Sequence, residues 1–390
     1  MTARIPPAFA LLTSLLCAAR PTVAQLIRGA ADMWNLANRN ADLLRFSTLF
    51  TAQNVRDHLS TAAGLHEAIE WCKATGITHV YIECYRSRYR AERPALENAR
   101  DAFRREGFLV SGCVTTTNVG KTSTGWKLID CYTDEATRRN LADVFAYAAS
   151  MFDEIMIDDF LFTDCQCKDL CVPARGDRSW AEYRCDLMLD VSRRFILEPA
   201  RRVNPDVKII IKYPQWYDNF HQRGYDVLRQ TEAFDKIWVG TETRDYTDER
   251  WGGTVQYEAY FIMRWLGVIG GDKCGGGWFD PYGTTENTYV EQARQTLLAD
   301  AREALLFCYG ALQERTGPAD VRKFRAEVPG YFELAKMVRG QPIAGVHTCK
   351  PPNSDPGPEP RVFDFVGMLG FPLDPRPEVD ATAKTAFFSM

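Results

Sequence analysis

Residues 79–114 read HVYIECYRSRYRAERPALENARDAFRREGFLVSGCV. A β-rich run, a polar loop, a helical pattern closed by Gly107 and a second β-rich run follow one another, and glycine just past a helix is the expected stop. The runs at 79–85 and 108–114 are mostly apolar without strict alternation. That is how strands buried on both faces read, namely parallel strands covered by helices.

The same rhythm extends in both directions. LLRFSTLF (43–50) and the helical HEAIEWCKAT, stopped by Gly76, precede the unit, and EIMIDDF (154–160), VKIIIKY (207–213), KIWVGTE (236–242), GGWFDPY (276–282) and EALLFCYG (303–310) follow it, each leading into a helical stretch. The helix after 154–160 opens with Ser179 and Glu182 in capping-box spacing. Eight strands and eight helices between residues 25 and 342 predict a (β/α)8 barrel. No GxGxxG follows the first strand, so an open dinucleotide-binding sheet lacks its phosphate loop. Residues 343–390 read as a Pro-rich connector and a partial C-terminal extension.

A net charge of −4 with no basic block gives no electrostatic footprint for nucleic acid. Residues 1–24 read as a secretory signal: an apolar run too short to span a bilayer ends in Thr22-Val23-Ala24. The expectation is a secreted or periplasmic protein with no membrane attachment after cleavage. Of the twelve cysteines, Cys17 falls in that leader, and the odd remainder cannot all pair.

In such a barrel the working residues lie at the carboxyl ends of the strands. Those positions hold Glu83 and Arg86 (strand two), Thr115 to Asn118 (three), Asp158 and Asp159 (four) and Lys212, Tyr213, Trp216 and Tyr217 (five). Glu242 and Arg244 follow strand six, Trp278 and Asp280 strand seven, and Tyr309 strand eight. Aromatic faces stack on sugar rings and carboxylates, Arg, Asn and Lys bond hydroxyls, so a carbohydrate is the expected partner. Cleaving a glycosidic bond needs one protonated and one ionised carboxyl. Asp158 and Asp159, adjacent on a strand, point to opposite faces, and Asp159 is preferred as the reacting one. Glu242 is its first-choice partner and Asp280 the second. Glu83, Arg86, Asn118, Lys212, Tyr213, Trp216, Arg244, Trp278 and Tyr309 are the expected substrate contacts. Lys212 ends an apolar strand, which fits an ion pair with a rim carboxylate or Schiff-base chemistry. The competing functions are therefore a Lys212-dependent aldolase or lyase and a non-catalytic carbohydrate-binding barrel.

Cys165, Cys167 and Cys171 have CxCxxxC spacing. Cysteines one residue apart seldom bond each other, whereas their thiolates can converge on one tetrahedral zinc, with Cys131 as the fourth ligand. Such a zinc is structural. The alternative is disulfides, among these cysteines or with Cys185. No organic cofactor is expected.

Cys131, a helix, a strand ending in acidic residues, CxC and then Cys resemble the glycoside hydrolase family 42 β-galactosidases and their looser barrel relatives. That resemblance implies a barrel with structural zinc after strand four. GVHTCKPPNSDP and FDFVGMLGFPL look like the junction to a trimerisation or amidotransferase-like domain, which implies a homo-oligomer. Family 42 places Asn-Glu at the end of strand four and Glu at strand seven, where this chain has Asp158-Asp159 and Asp280. A strand-four Asp nucleophile with a strand-six acid, as in α-galactosidase-like barrels, also fits Asp159 with Glu242, and the anomeric preference stays open.

Overall fold

The computed structural model describes residues 23–355, 360–379, 382–383 and 385–388. Most of the leader expectation, residues 1–22, lies outside these; Val23 and Ala24 open the helix Val23–Arg39. Eight parallel strands follow: β1 Arg45–Phe50, β2 Ile77–Arg86, β3 Leu109–Val114, β4 Glu154–Ile157, β5 Lys208–Tyr213, β6 Lys236–Gly240, β7 Cys274–Phe279 and β8 Glu303–Leu306. Each pairs with the next, and β1 also pairs with β8, which closes the (β/α)8 barrel. A two-residue antiparallel pairing, Tyr85–Arg86 with Tyr89–Arg90, extends the rim after β2.

Closure explains the unalternating strands. Successive side chains point into the barrel and out towards the helices, and both environments are apolar. Leu49, Tyr81, Cys113, Met156, Ile210, Trp238, Trp278 and Leu305 fill the interior. Their strand neighbours, such as Phe46, Ile82, Ile155, Ile211 and Val239, pack outward under the helices. Gly76 and Gly107 end their helices at φ 73° and 88°, and Ser179 with Glu182 forms the capping box.

The strands are shorter than the sequence runs. β4 stops at Ile157 because the Asp158 carboxylate accepts from the Asp159 N–H at 2.8 Å while the Phe160 N–H turns back to the Asp158 carbonyl at 2.7 Å. Strand eight ends at Leu306, and the helix Tyr309–Gln313 begins inside the run assigned to it. In the C-terminal segment β9 Val346–Cys349 lies parallel between β10 Leu373–Arg376 and β11 Ala386–Phe388. It docks on the barrel through Tyr217, whose hydroxyl donates to Asp364 at 3.0 Å, and Trp265, whose ring N–H donates to the Lys350 carbonyl at 2.9 Å. No helix among the described residues is long and apolar enough to cross a membrane.

Candidate active site

The interior residues fix which side chains reach the mouth. Two residues beyond Tyr81, Cys113, Met156, Ile210, Trp278 and Leu305, the period-two alternation delivers Glu83, Thr115, Asp158, Lys212, Asp280 and Phe307. β6 takes two such steps, from Trp238 through Gly240 to Glu242. Gly240 makes room: a Cβ there would lie 2.5 Å from Glu242 Oε2, so the carboxylate folds back into space that any other residue would fill.

The mouth holds three charge groups. On the β2–β4 side, Arg86 donates to Glu83 at 2.8 and 3.0 Å and to Asp158 at 2.7 Å, and the Thr115 hydroxyl lies between the two carboxylates. Glu83 is fully buried and also accepts from the Ala52 N–H at 2.8 Å, so its acceptor sites are spent on this framework. Burial opposes ionisation of Asp158, but Arg86 and then Lys212 outweigh it and hold its pKa below the usual value. For Glu83 burial wins over Arg86, and its pKa is raised. On the β6–β7 side, Arg244 grips Asp280 with two hydrogen bonds of 3.1 and 2.8 Å.

Between them lies the third group. Lys212 Nζ donates to Asp159 Oδ2 at 2.9 Å and to Glu242 Oε1, and it rests 4.4 Å from the centre of the Trp278 ring. Glu242 Oε2 is buried without a hydrogen-bond partner. Burial, reinforced by Asp158 and Glu242 against the pull of Lys212, pushes the Asp159 carboxyl up to about 8. Burial raises Glu242 too, against Lys212. Lys212 moves the other way for an acid–base pair: burial favours its neutral form, yet the three carboxylates overcome this and raise its pKa. It is a clamped ammonium, and Schiff-base chemistry requires a free amine.

Of the Asp pair, Asp158 is the inward, fully committed residue, whereas the Asp159 side chain keeps 19% exposure beside Lys212. Both therefore meet the mouth. Several expected contacts lie elsewhere. Tyr213, one step from inward-pointing Lys212, faces outward; it is buried and meets the Thr231 hydroxyl at 3.0 Å. Tyr309 opens a helix and packs under the barrel wall against Phe50 and Trp71. Asn118 spends its amide on the Lys127 carbonyl at 3.1 Å. Trp278, 2% exposed and stacked on Phe307 at 5.0 Å, is the floor of the mouth rather than an open platform. Trp216 is half-buried against Phe162, Phe220 and Tyr225. Absent from the sequence reading were Phe307 and the Tyr282–Trp251 stack at 4.8 Å, which lines the rim beyond Asp280. Tyr282 lies two residues past Asp280 in GGWFDPY, the same strand-end step that marks the carboxylate.

The four cysteines converge. Cys131, Cys165, Cys167 and Cys171 are buried, with their sulfurs all within 4.8 Å of one another. Cys131 lies 3.7 and 3.5 Å from Cys167 and Cys171, which are 3.4 Å apart. Disulfide sulfurs lie at about 2.05 Å, whereas Zn–S bonds of about 2.3 Å give a tetrahedron with edges of about 3.8 Å. None of the described cysteines is paired, and Cys185, the alternative partner, turns its thiol to the His221 carbonyl. Four thiolate donors at tetrahedral spacing suit a zinc ion, and these are the residues that would hold it. Local folding explains the convergence: Asp130 accepts from the Val119 and Gly120 N–H groups, the Cys131 N–H bonds to the Lys121 carbonyl at 2.7 Å, and the Cys171 N–H bonds to the Cys167 carbonyl at 3.0 Å.

Comparison with known proteins adds the family. A model described as probable glycosyl hydrolase, catalytic domain, matches residues 31–354. An uncharacterized protein of Saccharolobus solfataricus is 30% identical in an alignment 364 positions long, gaps included, that covers 80% of this chain and 58% of the relative; the chain thus spans little more than half of that protein's length. Gan42B, a GH42 β-galactosidase, superposes with a TM-score of 0.59 at 11% identity over 86% of this chain and 65% of its own. A GH5_18 protein from Bifidobacterium longum subsp. infantis gives 0.50 at 12% identity over 88% and 91%. At these identities the two structures speak for the barrel alone.

Proposed function

Since this chain belongs to the family of probable glycosyl hydrolase catalytic domains, we propose that it hydrolyses glycosidic bonds of oligo- or polysaccharides with Asp159 as proton donor and Glu242 as nucleophile. The observation that carries this is the shared ammonium: Lys212 holds one oxygen of each carboxylate, and the second Glu242 oxygen has no partner. Around one cation the arrangement is stable with one carboxyl protonated and one ionised. Asp159, pushed up to about 8, carries the proton.

The reaction then runs in two steps. Asp159 gives its proton to the leaving oxygen as Glu242 attacks the anomeric carbon, breaking the glycosidic bond and forming a glycosyl ester. The Asp159 carboxylate next takes a proton from water, which attacks the same carbon and frees Glu242. Two oxygens bonded to the same nitrogen lie under about 6 Å apart. That fits the retaining spacing of about 5–5.5 Å better than the inverting one of about 6.5–9.5 Å. Turnover of a panel of glycans, with the anomer of the first product read by NMR, tests both parts. Binding without turnover of any member would favour the non-catalytic barrel.

The proton donor has a pH signature. Asp159 works protonated, so kcat/KM falls as pH rises through about 8, where the acid dissociates. Glu242 works ionised, and its raised pKa places the acidic limb above the ordinary glutamate range. We expect the alkaline limb to vanish in Asp159→Asn; a limb that survives at the same pH belongs to another group.

Zinc at the four thiolates would supply charge neutralisation and a cross-link, with no open position for chemistry. Cys131 would thereby join the loop after β3 to the Cys165–Cys171 loop after β4. We expect one zinc per chain in protein purified without added metal, and a lower melting temperature after chelation or in Cys171→Ser. Metal-free protein with unchanged melting would remove zinc from the account. Export with loss of residues 1–24 and assembly into a homo-oligomer are further parts of the proposal; N-terminal sequencing of extracellular protein and its mass in solution check them.

A further inference from the structure

The flank of the mouth between the loops after β3, β4 and β5 forms an open cavity of about 830 Å³ that the catalytic pair does not use. We infer that this cavity is an outer glycan subsite, which binds sugar units beyond the scissile bond and makes the enzyme selective for longer chains. The inference rests on the hydrolase reading above for its substrate class, and on its own geometry for its place.

Its volume lies in the range of ligand pockets, about 300–1,000 Å³. Its aromatic wall is made by Trp126, Phe162 and Trp216. Trp126 is 45% exposed, yet its ring is backed by Phe162, nearly parallel at 6.1 Å, and by Phe160 at 5.6 Å. A tryptophan supported on one side and open on the other is the surface that a pyranose CH face stacks on.

The turn that carries the ring is anchored. Asp164 accepts from the Trp126 backbone N–H at 2.9 Å and from Arg223 at 2.8 Å, and its other oxygen takes the Ser123 hydroxyl. Gly125 lies so close that a Cβ would fall on that carboxylate. The Thr124 hydroxyl accepts from the Gln166 N–H at 2.8 Å, which ties the same turn to the cysteine loop. A preformed platform spares the bound sugar the cost of ordering a loop.

Hydrogen-bonding capacity is built in alongside. Arg184, 6% exposed, lines the cavity and donates to the Gln222 and Asp164 carbonyls at 2.6 and 2.9 Å, while its Nε has no partner. Those two bonds fix the guanidinium in the cavity wall. Asn219, exposed on the rim, adds an amide. The cavity also borders the reaction. Phe160 directly follows Asp159, and Tyr225, which packs on Phe162 and Trp216, donates its hydroxyl to the Asp159 carbonyl at 3.0 Å. One aromatic cluster therefore runs from the proton donor to the outer wall.

The test uses the full chain with Glu242→Gln to block turnover, and α- and β-1,4-linked ladders of glucose, galactose, mannose and xylose from dimer to hexamer. Calorimetry should show affinity for at least one ladder rising about tenfold or more between dimer and pentamer, the worth of one stacked ring. Trp126→Ala should abolish that rise and Trp126→Phe restore part of it, and with active enzyme the loss should fall on KM and grow with length. Melting curves show whether the variants fold. Affinity that ignores length on every ladder, or a rise that survives in folded Trp126→Ala, overturns the subsite. If length-dependent binding through Trp126 is found but the unmodified chain cleaves nothing, the subsite stands and the catalytic reading falls; if short aryl glycosides are cleaved without any length effect, the reverse holds.

Discussion

Glu242→Gln is expected to lower kcat by about four orders of magnitude, ~5.5 kcal/mol of transition-state stabilisation, while the barrel melts near the unmodified temperature. Glutamine keeps the volume in the space above Gly240 and can still accept from Lys212, so the geometry survives. What it lacks is the ionised oxygen that bonds the anomeric carbon. Asp159→Asn should cost about two to four orders for sugar leaving groups. The cost should be far smaller for aryl leaving groups of low pKa, which depart without a proton. Azide supplied to a small-side-chain variant, Glu242→Gly, should restore turnover and give the glycosyl azide of opposite anomeric configuration. These three results divide the roles between the two carboxyls. Wild-type turnover in Glu242→Gln would remove it from the reaction, and azide rescue of Asp159→Gly instead, again with opposite configuration, would exchange the assignments.

The barrel was legible because its cause is local. A strand buried on both faces must be apolar throughout, and each helix needs its stop, so Gly76 and Gly107 mark the repeat without tertiary information. The mouth was legible to the extent that the same alternation reaches it. Lys212, Glu242, Arg244 and Asp280 were read from strand ends, and there Lys212 pairs with Glu242 and Arg244 with Asp280. Applied one residue further, that rule also separates Tyr213 from Lys212: adjacent strand residues cannot both face inward. Tyr309 escaped it because a helix begins where the sequence still looked like strand.

The cysteine spacing pointed to a cluster, although Cys131 is far from the other three in sequence and is brought in by a loop that Asp130 organises. No short pattern could announce the outer cavity. Trp126, Phe162, Arg184 and Trp216 come from four separated segments and become neighbours only when the loops fold together. Loop meetings of this kind leave little trace in local sequence, whereas strand ends are indexed by the fold itself.

Lys212→Met tests whether the central cation organises the site. Methionine fills the space over Trp278 but leaves Asp159 and Glu242 without their counter-ion, and removing one partner of a buried pair costs about 3–5 kcal/mol. The loss should depend on pH in a set direction. A carboxyl with a higher pKa folded than unfolded binds its proton more tightly in the native state, so stability falls as pH rises from its unfolded value of about 4 through its folded value. Asp159 is already pushed up to about 8 with Lys212 present. Without Lys212 it moves higher, and Glu242 follows, so the variant should lose least stability at low pH, where both carboxyls are neutral in either state. The deficit should widen as pH rises through neutrality. Adding Glu242→Gln to Lys212→Met should recover part of the stability at neutral pH, because one buried charge is removed together with its partner, and the two changes should be non-additive. Denaturant titrations of the four proteins at several pH values read this directly. A deficit that does not vary with pH, or strict additivity, would reduce Lys212 to a packing residue and dissolve the shared-cation argument for the catalytic pair.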